Sequence, residues 1–245
     1  MALSAGCEMQ TIPLSNLALA FIPVIIVIMV IWHWQLDYKH SIYAVGRMLI
    51  QLLLIGYVLT YIFEANSEYI VITLLSLMLA TASWIALRTI TIPRKTLYWS
   101  AVYASLLGGF TVLVLTTQGV LSLHPWYSPS TVIPIAGMIF ANCMNSISLS
   151  GERLEAEMKL GVPYEKAKKV ALRAALIPIT NMLLAVGLVS LPGMMTGQIL
   201  SGVSPLIAAK YQIVIMSVLF GSSGISAAIY LHLQRHAYPV PAHLE

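Results

Sequence analysis

Met138, Asn142 and Asn145 recur at i, i+4 and i+7, a spacing that stacks three side chains on one face of a helix. Met144 and Cys143 flank that stripe. Met194 and Met195 sit in a stretch broken by Gly and Pro, where unwound backbone exposes carbonyl oxygens. Thioether, amide and thiol are soft or neutral ligands. They suit Cu(I) or a metal complex better than bare Fe(III), which favours carboxylate oxygens. The competing reading of each methionine is a flexible packing residue between helices, and the identity of any metal stays open on these residues. Arg47 and Gln51 share a helical face at i and i+4, either as an inward polar patch or as an Arg snorkelling to headgroups. His33 and His124 each neighbour aromatic residues and read as interfacial anchors.

Other chemistries are missing. The chain has no GxxxxGKS or GxxxxGKT phosphate cradle, no HExxH pair and no GxSxG turn. Cys7 and Cys143 stand far apart with no CxxC, which supports neither a zinc site nor a disulfide framework. Every acidic residue falls in a loop or at an end of an apolar run, so no buried carboxylate is available to couple transport to protons or sodium. Neither an enzyme nor a secondary carrier fits, and the driving energy has to come from another subunit.

The elements that position these residues follow from composition. A mean hydropathy of +0.86, with 59% hydrophobic and 9% charged residues, lies far from soluble domains, which carry about 25% charge. Lipid offers the backbone no hydrogen-bond partner, so long apolar runs must be helices. At about 20 residues per span, 245 residues hold about six to eight of them. The expected fold is an all-α polytopic membrane protein, a single transmembrane domain over 1–245. Its spans, about seven, are read near 14–34, 46–63, 69–87, 97–117, 131–150, 174–191 and 208–231. The first is a retained span rather than a signal peptide, since no basic n-region precedes it. Segment 191–205 is either an external loop or a re-entrant break at membrane depth.

One stretch cannot sit in lipid. Residues 151–178 hold Arg153, Lys159, Lys166, Lys168, Lys169 and Arg173 against Glu152, Glu155, Glu157 and Glu165, and each charge at the bilayer centre costs about 2.5–3.5 kcal/mol. With the N-terminus outside and the C-terminus inside, twelve of the thirteen basic residues lie on the inner side and only Lys210 lies outside. The positive-inside rule therefore makes this loop cytoplasmic. A net charge of +4 is ordinary for such a chain and does not point to nucleic acid. Gly161-Val162-Pro163 breaks the helix in the loop, leaving a short helix, a turn and a second helix across the cytoplasmic face.

Glu155-Ala156-Glu157 followed by Gly161 resembles the EAA motif of ABC-transporter permeases. Longer strings resemble the FetB family of ABC permeases over nearly the whole chain from Gly46. They are Gly46-Arg47 with Gln51; Ile133-Pro134-Ile135-Ala136-Gly137-Met138 with Asn142 and Met144; Ala175-Leu176-Ile177-Pro178; and Gly187 through Gly197. Ala141 stands where the bacterial pattern has Gly, and Cys143 and Asn145 also depart from it.

The resemblance implies an inner (plasma) membrane subunit, working as a homodimer with a separate cytoplasmic ATPase that binds the ATP and Mg; the chain itself holds no cofactor. Bacterial members imply iron export or metal-stress resistance, and plant relatives imply aluminium tolerance and UDP-glucose transport. Glu155, Glu157, Gly161, Pro163 and Arg173 are then expected to couple to the ATPase. Pro192, Gly193 and Gly197 would gate the outer end, with Gly193 and Gly197 spaced for close helix approach. Arg47, Gln51, Met138, Asn142, Met144, Asn145, Met194 and Met195 would line the substrate pathway. A nucleotide sugar or other organic anion contacting Arg47 is the alternative cargo, and a non-transporting scaffold or receptor is a further one.

Overall fold

The computed structural model describes residues 13–65 and 67–236; Cys7 lies outside them. Among the described residues the chain is helical, with one isolated bridge between Val186 and Ser190. Six helical stretches are long and apolar enough to cross a membrane: Ser15–His33, Tyr38–Glu64, Glu68–Thr89, Arg94–Val120, Pro129–Lys159 and Pro205–Leu233. Two compact units partition the chain at Ala65.

In the first unit, α1 (Leu14–Leu19) and α2 (Ile22–His33) form one span with a break at Ala20–Phe21. Pro23 explains the break: it has no N–H to return to the preceding turn. Beyond Trp32 and Trp34, Asp37 accepts a hydrogen bond from the backbone N–H of His40 at 3.2 Å and so starts α3 (Tyr38–Ala65). Within α3, the side-chain oxygen of Gln51 accepts from Arg47 Nε at 3.1 Å and Nη2 at 3.3 Å once the amide is turned toward it.

The second unit is built round α7 (Pro129–Lys159), which packs against α4 (Glu68–Ala86), α8 (Tyr164–Ala185) and α10 (Pro205–Leu233). Its buried positions, among them Val132, Ile135, Ala136, Ile139, Phe140 and Cys143, recur at helical spacing and meet Val71, Leu75, Ile179, Ile215 and Leu219 in one core. The fourth span runs from α5 (Arg94–Ser105) through α6 (Thr111–Val114), with widened π-helical turns at Leu106–Phe110 and Leu115–Val120. At Gly108 this helix lies almost on α10. A Cβ there would stand 2.3 Å from Ser226 Oγ and 2.6 Å from its backbone nitrogen, so only glycine fits.

Two departures from the hydropathy reading matter for the site. First, the charged loop contains no separate helices lying across the membrane face. Its halves are the unbroken ends of α7 and α8, joined by a turn at 160–163. A 31-residue helix is about 46 Å long, against a hydrocarbon core of about 30 Å, so its last turns project beyond the lipid. Second, the sixth span does not reach residue 191. The α8 helix stops at Ala185, where the backbone N–H groups of Leu188, Val189 and Ser190 all turn back to the Ala185 carbonyl. Gly187 has φ +82° in that turn, and Pro192 then caps the short α9 (Gly193–Leu200). The apolar part of α8, 174–185, is about 18 Å long. That is too short to cross alone; because Tyr164 at the start of α8 meets Leu231 near the end of α10, the turn at 186–192 and α9 must complete the passage.

Candidate functional site

The projecting hairpin is tied down at its root. Glu155 is buried (7% exposed); its Oε2 accepts the backbone N–H of Thr91 at 2.9 Å, and its Oε1 lies 3.5 Å from Lys159 Nζ. Lys159 Nζ in turn donates to Thr91 Oγ1 at 3.1 Å. This clasp holds the loop between α4 and α5 against α7. Glu157, also buried, pairs with Arg153 one turn back. On the other strand of the hairpin, the Tyr164 hydroxyl donates to the Leu231 carbonyl at the end of α10. Burial, with the neighbouring Glu165 carboxylate second, pushes that phenol up to about 12, so it remains a donor at any physiological pH. Leu154, Ala167, Ala171 and Leu231 close an apolar cluster around it.

The tip is the reverse. Leu160 is 78% exposed, and a Cβ added at Gly161 would meet no atom within 4 Å. Gly161 takes φ +77°, a conformation in which a Cβ crowds the following carbonyl, and Pro163 with φ −57° caps α8. The residues expected to couple therefore divide. Gly161 and Pro163 form the exposed tip, while Glu155 and Glu157 face inward and hold its shape. Arg173 lies elsewhere, nine residues or about 14 Å along α8 from Tyr164, in a groove of about 480 Å³ lined by Lys169, Leu172, Arg173, Leu176, Ile177, Thr180 and Asn181.

Of the soft-ligand candidates, Met138, Met144 and Met194 pack against the same apolar core. Met195 lines a separate cavity of about 350 Å³ with Gly187, Gln212 and Met216, where the buried Oε1 of Gln212 has no partner. Asn142 donates to the Met138 carbonyl at 2.9 Å, and Asn145 is exposed on α7. Arg47 and Gln51 lie one turn apart on α3 in the first unit, within bonding reach once the Gln51 amide is turned. Pro192 caps α9, and a Cβ added at Gly193 or Gly197 would meet no atom within 4 Å. The close helix approach expected of that glycine pair does not occur among the described residues. Nor do any three His, Cys, Asp or Glu side chains gather there to hold a metal ion.

Thr91, Tyr164 and Leu231 escape a reading of sequence, because their partners lie 64 and 67 residues away. Thr180 and Asn181 carry a signal that sequence does contain: with Lys169 and Arg173 they make the helical series i, i+4, i+11, i+12.

Proteins of similar sequence are named as membrane proteins and as a permease. No solved structure matches the chain. Residues 14–238 match UPF0014, described as an uncharacterised protein family. A UPF0014 membrane protein of Synechocystis, slr1647, is 38% identical over 202 residues, 76% of this chain and 77% of its own. The probable iron export permease protein FetB of Escherichia coli is 33% identical over 234 residues, 89% of each chain. The protein ALUMINUM SENSITIVE 3 of Arabidopsis thaliana is 31% identical over 233 residues, 88% of this chain and 84% of its own. With its multi-pass helices and a family match over residues 14–238, the chain belongs to the UPF0014 family of FetB-like membrane permeases.

Proposed function

We propose that this permease is the membrane subunit of an ABC-type exporter, driven by a separate cytoplasmic ATPase and moving iron or another metal out of the cell. One observation carries the reading: a charged helical hairpin whose root is clasped to two other elements and whose tip is bare. A soluble motor pushing on Leu160–Pro163 would move α7 and α8 together, because the clasp leaves the hairpin no independent hinge. The chain is read as N-out and C-in, a single domain that pairs with a second copy in the inner membrane. Pro192, Gly193 and Gly197 would form the yielding outer gate.

The test is co-purification with the ATPase and reconstituted transport. Gly161→Val puts a β-branched side chain at a left-handed position, where an L-residue costs about 1–2 kcal/mol. The expected result is loss of ATP-driven transport while the protein still folds. Unchanged ATPase binding and unchanged transport would remove the hairpin from the coupling path. A second cargo, an organic anion, is favoured by the lack of a three-ligand metal cluster among the described residues and by the cationic groove on α8. Comparing metal-stimulated with anion-stimulated ATP hydrolysis in liposomes separates the two.

A further inference from the structure

Ser83, Ser105 and Ser223 are buried without a partner among the described residues, but other hydroxyls in the spans are satisfied locally: Thr73, Ser76, Thr81, Thr116, Thr117 and Ser217 each donate to a carbonyl one turn back. This is the usual way a helix hides a hydroxyl from lipid. Thr180 and Asn181 are neither buried nor bonded: both are exposed, neither makes a side-chain hydrogen bond among the described residues, and both face the α8 groove. At its other end, Arg173 has no ion pair among the described residues. Glu165 is taken by Lys168 at 2.8 Å, and Lys169 adds only its field to that carboxylate. Leu176 and Ile177 floor the groove between the two polar ends.

Two cations at i, i+4 repel and weaken a helix, and an unpaired amide at membrane depth is costly against lipid. The unspent hydrogen-bonding capacity in the groove is rich in donors: ammonium, guanidinium, hydroxyl and amide N–H. From Lys169 to Asn181 it runs about 18 Å along the helix. We propose that this face of α8 is an oxyanion site, with Lys169 and Arg173 capturing a phosphate- or carboxylate-bearing ligand and Thr180 and Asn181 receiving it deeper in the membrane. This rests on the permease reading and names its cargo class: a metal would travel as an anionic chelate rather than as a bare cation. It also gives Arg173 a role in binding rather than in contact with the motor.

The test needs no ATPase. The full-length protein in phosphatidylcholine nanodiscs is titrated with pyrophosphate and, separately, with citrate by calorimetry. Saturable binding of at least one is expected, weakened about tenfold or more in Arg173→Gln and in Lys169→Gln, since charge-assisted hydrogen bonds are lost. Arg173→Lys should restore it to within about threefold of the parent. Asn181→Leu, which leaves the positive charge and hence the topology signal untouched, should also weaken binding. Repeating the titration with phosphatidylglycerol in the disc separates the sources: competition there assigns the site to a lipid headgroup, and no competition to a soluble anion. Absence of saturable binding by both anions without any phosphatidylglycerol effect, or equal binding by the K169Q/R173Q double variant, overturns the proposal. Anion binding that persists when no ATPase associates would sink the ABC reading and leave the site standing.

Discussion

The two ends of α8 lead into turns of opposite construction. The turn at 160–163 sits on a root held by side chains: a buried glutamate on a backbone N–H, a lysine bridging to the same threonine, and a tyrosine on a helix-end carbonyl. Among the described residues, the turn over 186–191 is held by backbone bonds to the carbonyls of Ala185 and Ser190, with no side-chain bond to another element. Its side chains point away, Leu188 at 90% and Val189 at 83% exposure. A bend fixed by tertiary contacts passes on displacement. One closed only by local backbone bonds opens at lower cost. One helix thus connects a stiff turn to a soft one, the asymmetry that the proposed coupling would use.

The contrast can be broken by mutation. Glu155→Ala has the largest expected effect. It leaves the Thr91 N–H without its acceptor and Lys159 without its pair, a loss of about 2 kcal/mol, read as a melting temperature several degrees lower in detergent. Tyr164→Phe should cost about 1 kcal/mol by orphaning the Leu231 carbonyl. The Tyr164 contribution also has a pH signature. The phenol is raised from 10.0 to about 12 in the folded chain, so folding favours its neutral form. Its stabilisation should be complete below pH 10 and vanish as pH climbs toward 12, and the parent and Tyr164→Phe curves should converge there. Leu188→Ala should be smallest, within about 0.5 kcal/mol of the parent. If Leu188→Ala destabilises as much as Glu155→Ala, the stiff–soft distinction is wrong.

Sequence makes the spans legible because a residue's cost in lipid depends mainly on its own chemistry, and the charged run from Gly151 stands out for the same reason. The direction in which Glu155 points is less accessible. Its pair with Lys159, like that of Arg153 with Glu157, follows from i, i+4 spacing, but Thr91 is brought there only by the fold. Hydropathy misplaces the end of α8 because Leu188, Val189 and Leu191 look like helix interior. A left-handed Gly187 and a capping Pro192 decide otherwise, and hydropathy is blind to both. Lys169 and Arg173 are legible as charges, but charge counting assigns them only to topology. The unpaired Thr180 and Asn181 two turns further on show them to be one end of a groove.

Cys143 is fully enclosed, its sulfur in reach of the Ser226 hydroxyl at 3.0 Å beneath Gly109. Maleimide reagents have no path to it. Replacing Cys7 alone therefore yields a silent background on which single reporter cysteines, placed at Leu160, Asn181 or Leu188, would record which turn opens to water at each step of a transport cycle.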